Sequence, residues 1–201
     1  MRPVAISQRV DIVPRRGERR DALDQRWVRL LAACGLLAVP MPNEPDLAAE
    51  LFQDMEAAGL VLTGGNDLVR YGGDAPERDR TEQLLLRLAR KRALPILGVC
   101  RGMQVIQDCF GVTLKPVSGH VATRHAVDGA GLSGVVNSYH GYGASETSAE
   151  LGILARAADG VVEAIGHRAE PILAQMWHPE RETPFDPADL ARIRGHFGIA
   201  P

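Results

Sequence analysis

Short apolar segments alternate with longer amphipathic ones, and this alternation constrains the fold of the chain most strongly. Apolar runs occur at residues 4–7, 36–40, 59–63 and 95–99. Segments with helical spacing of apolar residues separate and follow them, so the order over the first half is βαβαβαβα. Strands joined by helices form a parallel sheet with helices on both faces. The pattern therefore predicts an α/β fold with a doubly wound, mostly parallel sheet, which binds ligands beyond the carboxyl ends of its strands.

Two segments have the clearest helical pattern. In residues 20–34, apolar side chains recur at i, i+4, i+7 and i+8, counted from Leu23, and the opposite face is polar. This spacing predicts an amphipathic helix with one buried stripe. Residues 78–92 have a similar pattern, and Pro95 ends that helix before the next strand.

After Gly111 the helical spacing gives way to β-branched residues and turn signals. Residues 111–114, 154–167 and 171–179 predict antiparallel strands or a hairpin, with a turn at Asp159-Gly160. The fold class therefore includes a small antiparallel strand pair. A closing helix is predicted over residues 186–197, with Asp186 as its N-cap.

Length, charge and cysteine content exclude several classes of function. The 201 residues fit one domain spanning residues 1–201. A net charge of -2 gives no overall field for a nucleic acid or a membrane surface. The three cysteines lack CxxC spacing, and no apolar run approaches the roughly 18 residues of a membrane span. We expect a cytoplasmic protein; the oligomeric state stays open.

Cys100 lies in the segment LPILGVCRGMQVI, where a predicted strand turns directly into a predicted helix. The G-x-C-x-G pattern formed with Gly98 and Gly102 reproduces, with sulfur for oxygen, the nucleophile elbow of hydrolases. A helix N-terminus favours the thiolate, and the N–H of Arg101 is placed to face a developing oxyanion. The pattern predicts that Cys100 is a nucleophile.

His178 and Glu180 supply a base and its partner in the segment QMWHPER. Pro179 restricts His178 to an extended backbone, and Glu180 is placed to accept a hydrogen bond from the imidazole. With the elbow thiol they form a Cys-His-Glu triad. Alone, each residue has an ordinary structural interpretation, such as the buried inert thiol expected of Cys34 and Cys109. Their joint occurrence favours catalysis.

Four motifs, in order, resemble those of the class I glutamine amidotransferase family. They are LTGGND at residues 62–67, PILGVCRGMQVI at 95–106, NSYHGYG at 137–143 and WHPE at 177–180. The resemblance implies an oxyanion hole formed by Gly65 and Arg101. It also implies a set of residues that hold the glutamyl part of the substrate: Asn66, Gln104, Ser138, Tyr139, His140 and Gly141.

Within that family, GVCRGMQ and the free-standing length look most like the γ-glutamyl-γ-aminobutyrate hydrolase branch, peptidase family C26. The resemblance implies a cofactor-free hydrolase of a small-molecule γ-glutamyl amide. Cys100 would form a thioester, His178 would protonate the leaving nitrogen, and water would then release glutamate. Two alternatives stay open: the glutaminase subunit of an amidotransferase, and a non-catalytic binding module.

An arginine-rich segment lies near the carboxyl end of the first strand. It comprises SQRVD and ERRDALDQRW, and Arg9, Arg19 and Arg20 are its candidate ligands for phosphate. The segment resembles the γ-glutamyl-CDP-amidate hydrolases of phosphoramidate capsule biosynthesis, which implies a nucleotide-linked leaving group. The alternative is a solvated helix face on which arginines pair with Glu18, Asp21 and Asp24.

Metal chemistry is not expected from the histidines. His120, His125 and His140 are too widely spaced from one another, and from any cysteine or carboxylate, to form a recognisable zinc pattern. No metal is therefore predicted. His140 is expected to shape the substrate loop or to be a structural histidine, and Trp177 is expected to border the pocket.

Overall fold

The computed structural model describes residues 1–200, which contain thirteen strands and five α-helices. The strands are β1 (Arg2–Ile6), β2 (Arg9–Val13), β3 (Glu18–Ala22), β4 (Leu36–Pro40), β5 (Leu60–Leu62), β6 (Ile96–Val99), β7 (Lys115–Pro116), β8 (Val121–Asp128), β9 (Gly134–Tyr139), β10 (Tyr142–Gly143), β11 (Leu151–Ala157), β12 (Val162–His167) and β13 (Ile172–Gln175). The helices are α1 (Gln25–Ala33), α2 (Pro45–Asp54), α3 (Pro76–Lys91), α4 (Arg101–Cys109) and α5 (Pro187–His196).

Nine strands form the central sheet of the described residues, in the order β4-β1-β5-β6-β13-β12-β11-β8-β9. The first five strands pair in parallel, and the remaining four continue the sheet in antiparallel fashion. Two small antiparallel pairs, β2-β3 and β10-β7, lie outside it. The predicted α/β fold with a mostly parallel sheet and a small antiparallel pair is confirmed.

Helices cover both faces of the parallel strands, because side chains alternate along each strand. In β1, Val4 and Ile6 pack with Leu30 of α1 and Ile193 of α5. Ala5, between them, faces the opposite side and joins a larger cluster with α2, α3 and α4. The helices cover the faces of the sheet but not the carboxyl ends of its strands. The loops that follow the strands lie at these ends.

The segment from residue 9 to residue 22 differs from the prediction. Residues 20–22 belong to β3 rather than to a helix, because β3 pairs with β2 in register from Arg9↔Ala22 to Val13↔Glu18. We call residues 9–22 the arginine hairpin. Helix α1 begins only after Asp24, whose side chain caps it by accepting a hydrogen bond from the Arg26 N–H.

The antiparallel half was predicted in part. The hairpin of β11 and β12 and the Asp186 cap of α5 are confirmed. Residues 112–114 form no strand, so that prediction is wrong, and β8 and β9 were missed. Among residues 1–200, no helix combines the length and the apolar character that crossing a membrane requires.

Candidate active site

Cys100 lies at a sharp turn between β6 and α4, with φ of 53° and ψ of -108°. The glycines make this turn possible. A Cβ on Gly102 would lie 2.1 Å from the carbonyl oxygen of Leu62, and one on Gly98 would lie 2.9 Å from the Gly102 backbone. Such contacts are sterically forbidden, so the elbow requires both glycines. A non-glycine residue with positive φ is held there by its surroundings.

His178 follows β13, which pairs with β6 and so brings the histidine to the strand end that carries Cys100. The Asn137 side chain fixes its backbone: the His178 N–H donates to Asn137 Oδ1 at 2.9 Å, and Asn137 Nδ2 donates to the His178 carbonyl at 2.9 Å. The ring is oriented by Glu180, because Nδ1 donates to Glu180 Oε1 at 2.6 Å. Nε2 is therefore left free for chemistry.

Cys100 and His178 face each other across Gly64. A Cβ on Gly64 would lie only 2.6 Å from His178 Cε1, so a larger residue would displace the imidazole from its position beside Cys100. Burial opposes protonation of His178, but the negative charge of Cys100 and the hydrogen bond to Glu180 outweigh it and raise the pKa of His178 to about 9. The arrangement therefore favours the imidazolium form of His178 at neutral pH.

The backbone of the loop from Thr63 to Asn66 is held by Arg78, whose side chain is fully buried. Arg78 donates to the carbonyl oxygens of Thr63 at 2.9 Å and of Gly64 at 3.0 Å, and also to that of Gly65. The C=O and N–H of a trans peptide point in opposite directions. Holding the Gly64 carbonyl therefore turns the Gly65 N–H away from Arg78.

Arg101 offers only its backbone to the cleft. Its side chain is buried and forms ion pairs with Asp79 and Glu82, and Glu82 also accepts from Arg78 Nε at 2.9 Å. As the first residue of α4, Arg101 has a backbone N–H without an intrahelical partner. The ion pairs of the guanidinium join the start of α4 to α3 and turn the side chain away from the cleft, so only backbone groups of Arg101 are available there.

The comparison with known proteins identifies the family. The family model of the class I glutamine amidotransferases matches residues 20–192. The chain belongs to the class I glutamine amidotransferase family. A GMP synthase subunit of Thermoplasma acidophilum has the same fold, with a TM-score of 0.72 at 22% identity over 98% of this chain and 93% of that one.

Two enzymes are among its curated relatives. The γ-glutamyl-CDP-amidate hydrolase of Campylobacter jejuni is 29% identical over 182 residues, which cover 89% of this chain and 90% of the relative. The γ-glutamyl-γ-aminobutyrate hydrolase of Escherichia coli strain K12 is 30% identical over 207 residues, which cover 82% and 81%. Both relatives are named as hydrolases of γ-glutamyl amides.

In this family member, one arm of the cleft extends from Cys100 along α4. It is a cavity of about 220 Å³, and its lining includes Gly65, Cys100, Gln104, Tyr139 and Gly141. Asn66 and His140 also contribute to this lining. This arm brings together most of the residues predicted to hold a glutamyl group.

The polar side chains of this arm are already anchored. Gln104 Nε2 donates to the Tyr142 carbonyl at 3.0 Å, and the buried Ser138 hydroxyl donates to the His120 carbonyl at 2.6 Å. Asn66 is committed to the arginine hairpin, since it accepts from the Val10 N–H at 2.8 Å and donates back to the Val10 carbonyl. The Asn66 and Ser138 side chains therefore support the neighbouring loop backbones, and their predicted part in holding the glutamyl group stays a prediction.

The second arm lies on the His178 side. It is a smaller cavity of about 60 Å³, lined by Gly65, His178 and Glu180 and by the cations Arg9 and Arg181. Asp24 also lines it, but this carboxylate is paired with Arg26 at 2.6 Å. Two larger hollows contain none of the predicted site residues: one lies between residues 111–115 and 144–148, and the other between residues 126–128 and 156–158.

The predicted arginine cluster is only partly assembled here. Arg9 borders the cleft, with Nη1 3.3 Å from the position of a Cβ on Gly65. Arg19 instead pairs with Glu77, and Arg20 pairs with Glu18 on its own strand, with Nε 2.7 Å from the carboxylate. Neither lines the cleft, because the hairpin directs them to other acidic partners. The alternative of arginines paired within their own segment holds for Arg20, on a hairpin rather than a helix, whereas Arg19 pairs with Glu77 of α3.

Three residues of the site escaped sequence reasoning. Arg78 and Asn137 act on backbone groups distant in the chain, although Asn137 stands within the NSYHGYG motif. Arg181 follows the triad glutamate directly and stacks over the Tyr139 ring, with its Cζ 4.3 Å from the ring centroid. In the sequence, only its position next to Glu180 could have indicated that Arg181 belongs to the site.

The three histidines whose sequence spacing forms no recognisable zinc pattern converge in space. His120, His125 and His140 surround the buried Glu163, with nitrogens 3.2 to 3.5 Å from its Oε1. The expectation that no metal binds stays a prediction.

Proposed function

We propose that this protein is a cysteine hydrolase that releases glutamate from a γ-glutamyl amide, and that its substrate is γ-glutamyl-CDP-amidate. The observation that carries the proposal is a two-armed cleft, with Cys100 in one arm and His178 in the other. The first arm is bordered by polar residues around the elbow and by one carboxylate, Asp67, whereas Arg9 and Arg181 border the other arm. A glutamyl group suits the first arm, and an anionic leaving group suits the second.

In the first half-reaction, the Cys100 thiolate attacks the γ-carbonyl carbon. The resulting oxyanion accepts hydrogen bonds from the backbone N–H groups of Gly65 and Arg101, which stabilise its negative charge. His178 then donates its Nε2 proton to the leaving nitrogen, the C–N bond breaks, and a thioester remains. The raised pKa of His178 keeps it protonated for this step.

In the second half-reaction, water replaces the leaving group. His178, now neutral, takes a proton from the water, whose oxygen bonds to the thioester carbonyl carbon. The C–S bond breaks, glutamate leaves, and Cys100 returns to the thiolate beside an imidazolium. Glu180 acts as a positioning residue throughout, because its bond to Nδ1 keeps Nε2 aimed at the reacting atoms.

The leaving-group arm supports the nucleotide-linked substrate. Arg181 has an Nε that is buried and without a hydrogen-bond partner among the described residues, and its guanidinium packs on Tyr139. Arg9 is half-exposed on the other side and pairs with Asp11 at 2.7 Å. Two guanidinium groups beside the proton donor suit a diphosphate, whose oxygens accept paired hydrogen bonds.

The test is glutamate release measured against γ-glutamyl-CDP-amidate, γ-glutamyl-γ-aminobutyrate and glutamine. We expect kcat/KM to be highest for the first, by about 100-fold, because two charge-assisted contacts contribute about 1.5 to 3 kcal/mol each. Equal kcat/KM values for all three substrates would contradict the proposal of a nucleotide-linked substrate but not the proposal of γ-glutamyl amide hydrolysis. Preference for glutamine, increased by an added synthetase, would instead favour a glutaminase subunit.

A further inference from the structure

The cluster of histidines around Glu163 lies apart from the reacting groups and has no role in the proposed reaction. Glu163 is on β12 and is fully buried, yet neither of its carboxylate oxygens has a hydrogen-bond partner among residues 1–200. A buried carboxylate is costly unless it is paired or binds a cation. The surroundings of Glu163 must therefore supply positive charge.

His120 presents a bare nitrogen to this carboxylate. Its Nε2 lies 2.9 Å from Asp159 Oδ2, and a carboxylate oxygen only accepts, so Nε2 carries the proton of the neutral ring. Nδ1 then faces Glu163 Oε1 at 3.2 Å with a lone pair. A carboxylate behind the ring is the partner that metal-ligating histidines commonly have.

His140 is oriented in the same way. Its Nδ1 lies 3.1 Å from the carbonyl oxygen of Tyr142, so Nδ1 is the donor and Nε2 bears the lone pair. Nε2 lies 3.2 Å from the same Glu163 oxygen and forms no hydrogen bond within the described chain. Two imidazole lone pairs and a carboxylate thus face one another, an arrangement that a bound metal ion stabilises and that a proton on a ring nitrogen would also relieve.

His125 completes the group from β8. Its Nε2 lies 3.5 Å from Glu163 Oε1 and is also without a partner in the described part of the protein. The ligand atoms of His120, His125 and Glu163 all lie within 4.8 Å of one another. Ligand bonds of about 2.0 to 2.1 Å in a tetrahedron place ligand atoms about 3.3 Å apart, close to the distances from Oε1.

We propose that His120, His125 and Glu163 form a binding site for a divalent transition metal, with Zn²⁺ as the fitting ion. Two imidazoles and one carboxylate match its ligand preference, and His140, whose Nε2 lies 3.2 Å from Glu163 Oε1, borders the site. The metal would join the β8-β9 hairpin to β12. It would thereby fix the Ser138 to Gly141 loop that borders the cleft.

The test is metal content and Co²⁺ spectroscopy on the full chain, with Zn²⁺ and Co²⁺ alone as probes. We expect about one zinc per chain after expression with zinc and extensive dialysis, and an intense tetrahedral Co²⁺ spectrum after replacement. Cys100→Ser should behave identically, which excludes the elbow thiol as ligand. Glu163→Gln and His125→Ala should abolish both signals.

Controls separate the site from general metal adhesion. His167→Gln, at a histidine outside the cluster, should keep the full zinc content. Asp159→Ala should weaken zinc affinity about 10- to 100-fold, because it removes the partner that orients His120. A wild-type protein without stoichiometric zinc and without the Co²⁺ spectrum would overturn the proposal. So would full binding by folded His125→Ala, since the histidines would then neutralise Glu163 with protons.

Discussion

The catalytic corner, formed by Cys100, His178, Glu180 and the Gly64-Gly65 turn, and the arginine hairpin are built in different ways. The corner rests on the paired strands β6 and β13 and on α4, and its side chains Cys100, His178 and Glu180 are buried. The hairpin lies outside the central sheet and is attached by polar side chains such as Asn66. Under the proposed function, chemistry depends on the buried frame and leaving-group selection depends on the attached hairpin, so mutations should separate the two.

The largest effect should follow from removing the nucleophile. Cys100→Ala should lower kcat by at least about 10³-fold, because the thioester path is lost, while the fold and melting temperature are retained. Cys109→Ala is the matched control and should keep wild-type kcat, since Cys109 is at the far end of α4. Wild-type glutamate release by Cys100→Ala would contradict the assignment of the nucleophile.

The next effect tests the support under the Gly64-Gly65 turn. Arg78→Lys keeps the charge but loses the fork that holds three carbonyls, so kcat should fall about 10- to 100-fold with KM little changed. Arg80→Met, on the exposed face of the same helix, should leave both constants unchanged. A folded Arg78→Lys enzyme with normal kcat would show that the Gly64-Gly65 turn does not depend on the hydrogen bonds from Arg78.

The pH dependence tests the His178 pair. kcat/KM should fall as pH rises through about 9, because His178 then loses the proton that the leaving nitrogen needs. The raised pKa of His178 also contributes to the free energy of unfolding. This contribution is complete below the ordinary histidine pKa of 6.5 and is lost as pH rises through about 9. Glu180→Gln should move the alkaline limb to lower pH. An unmoved limb would exclude His178 as its source.

The smallest effects belong to the arginines. Arg9→Ala and Arg181→Ala should each raise KM for γ-glutamyl-CDP-amidate about 10-fold and leave glutamine turnover unchanged. Arg20→Ala, whose side chain pairs on its own hairpin, is the control and should change nothing measurable. An Arg20→Ala defect equal to that of Arg9→Ala would show that the whole hairpin binds the substrate.

The structure of the catalytic corner could be predicted from the sequence more completely than that of the arginine hairpin. The elbow and the WHPE segment are local: glycine spacing and neighbouring residues fix their geometry. The alternating charges of residues 18–24 fit a helix face as well as a strand, and only pairing with β2 decides between them. Arg78, and Glu163 with its histidines, act across long chain separations that spacing does not encode.

The central claim is that a glutamyl thioester forms on Cys100. A γ-glutamyl 4-nitrophenyl ester releases 4-nitrophenolate without a proton, so in His178→Asn, assayed above the ordinary thiol pKa of about 8.5, acylation should proceed while hydrolysis of the thioester stalls. Mass spectrometry of the acid-quenched protein should then find glutamyl on the peptide that contains Cys100, removable by hydroxylamine. Glutamate release by wild-type enzyme with no adduct in this variant, or an adduct on Cys34 or Cys109, would contradict the account.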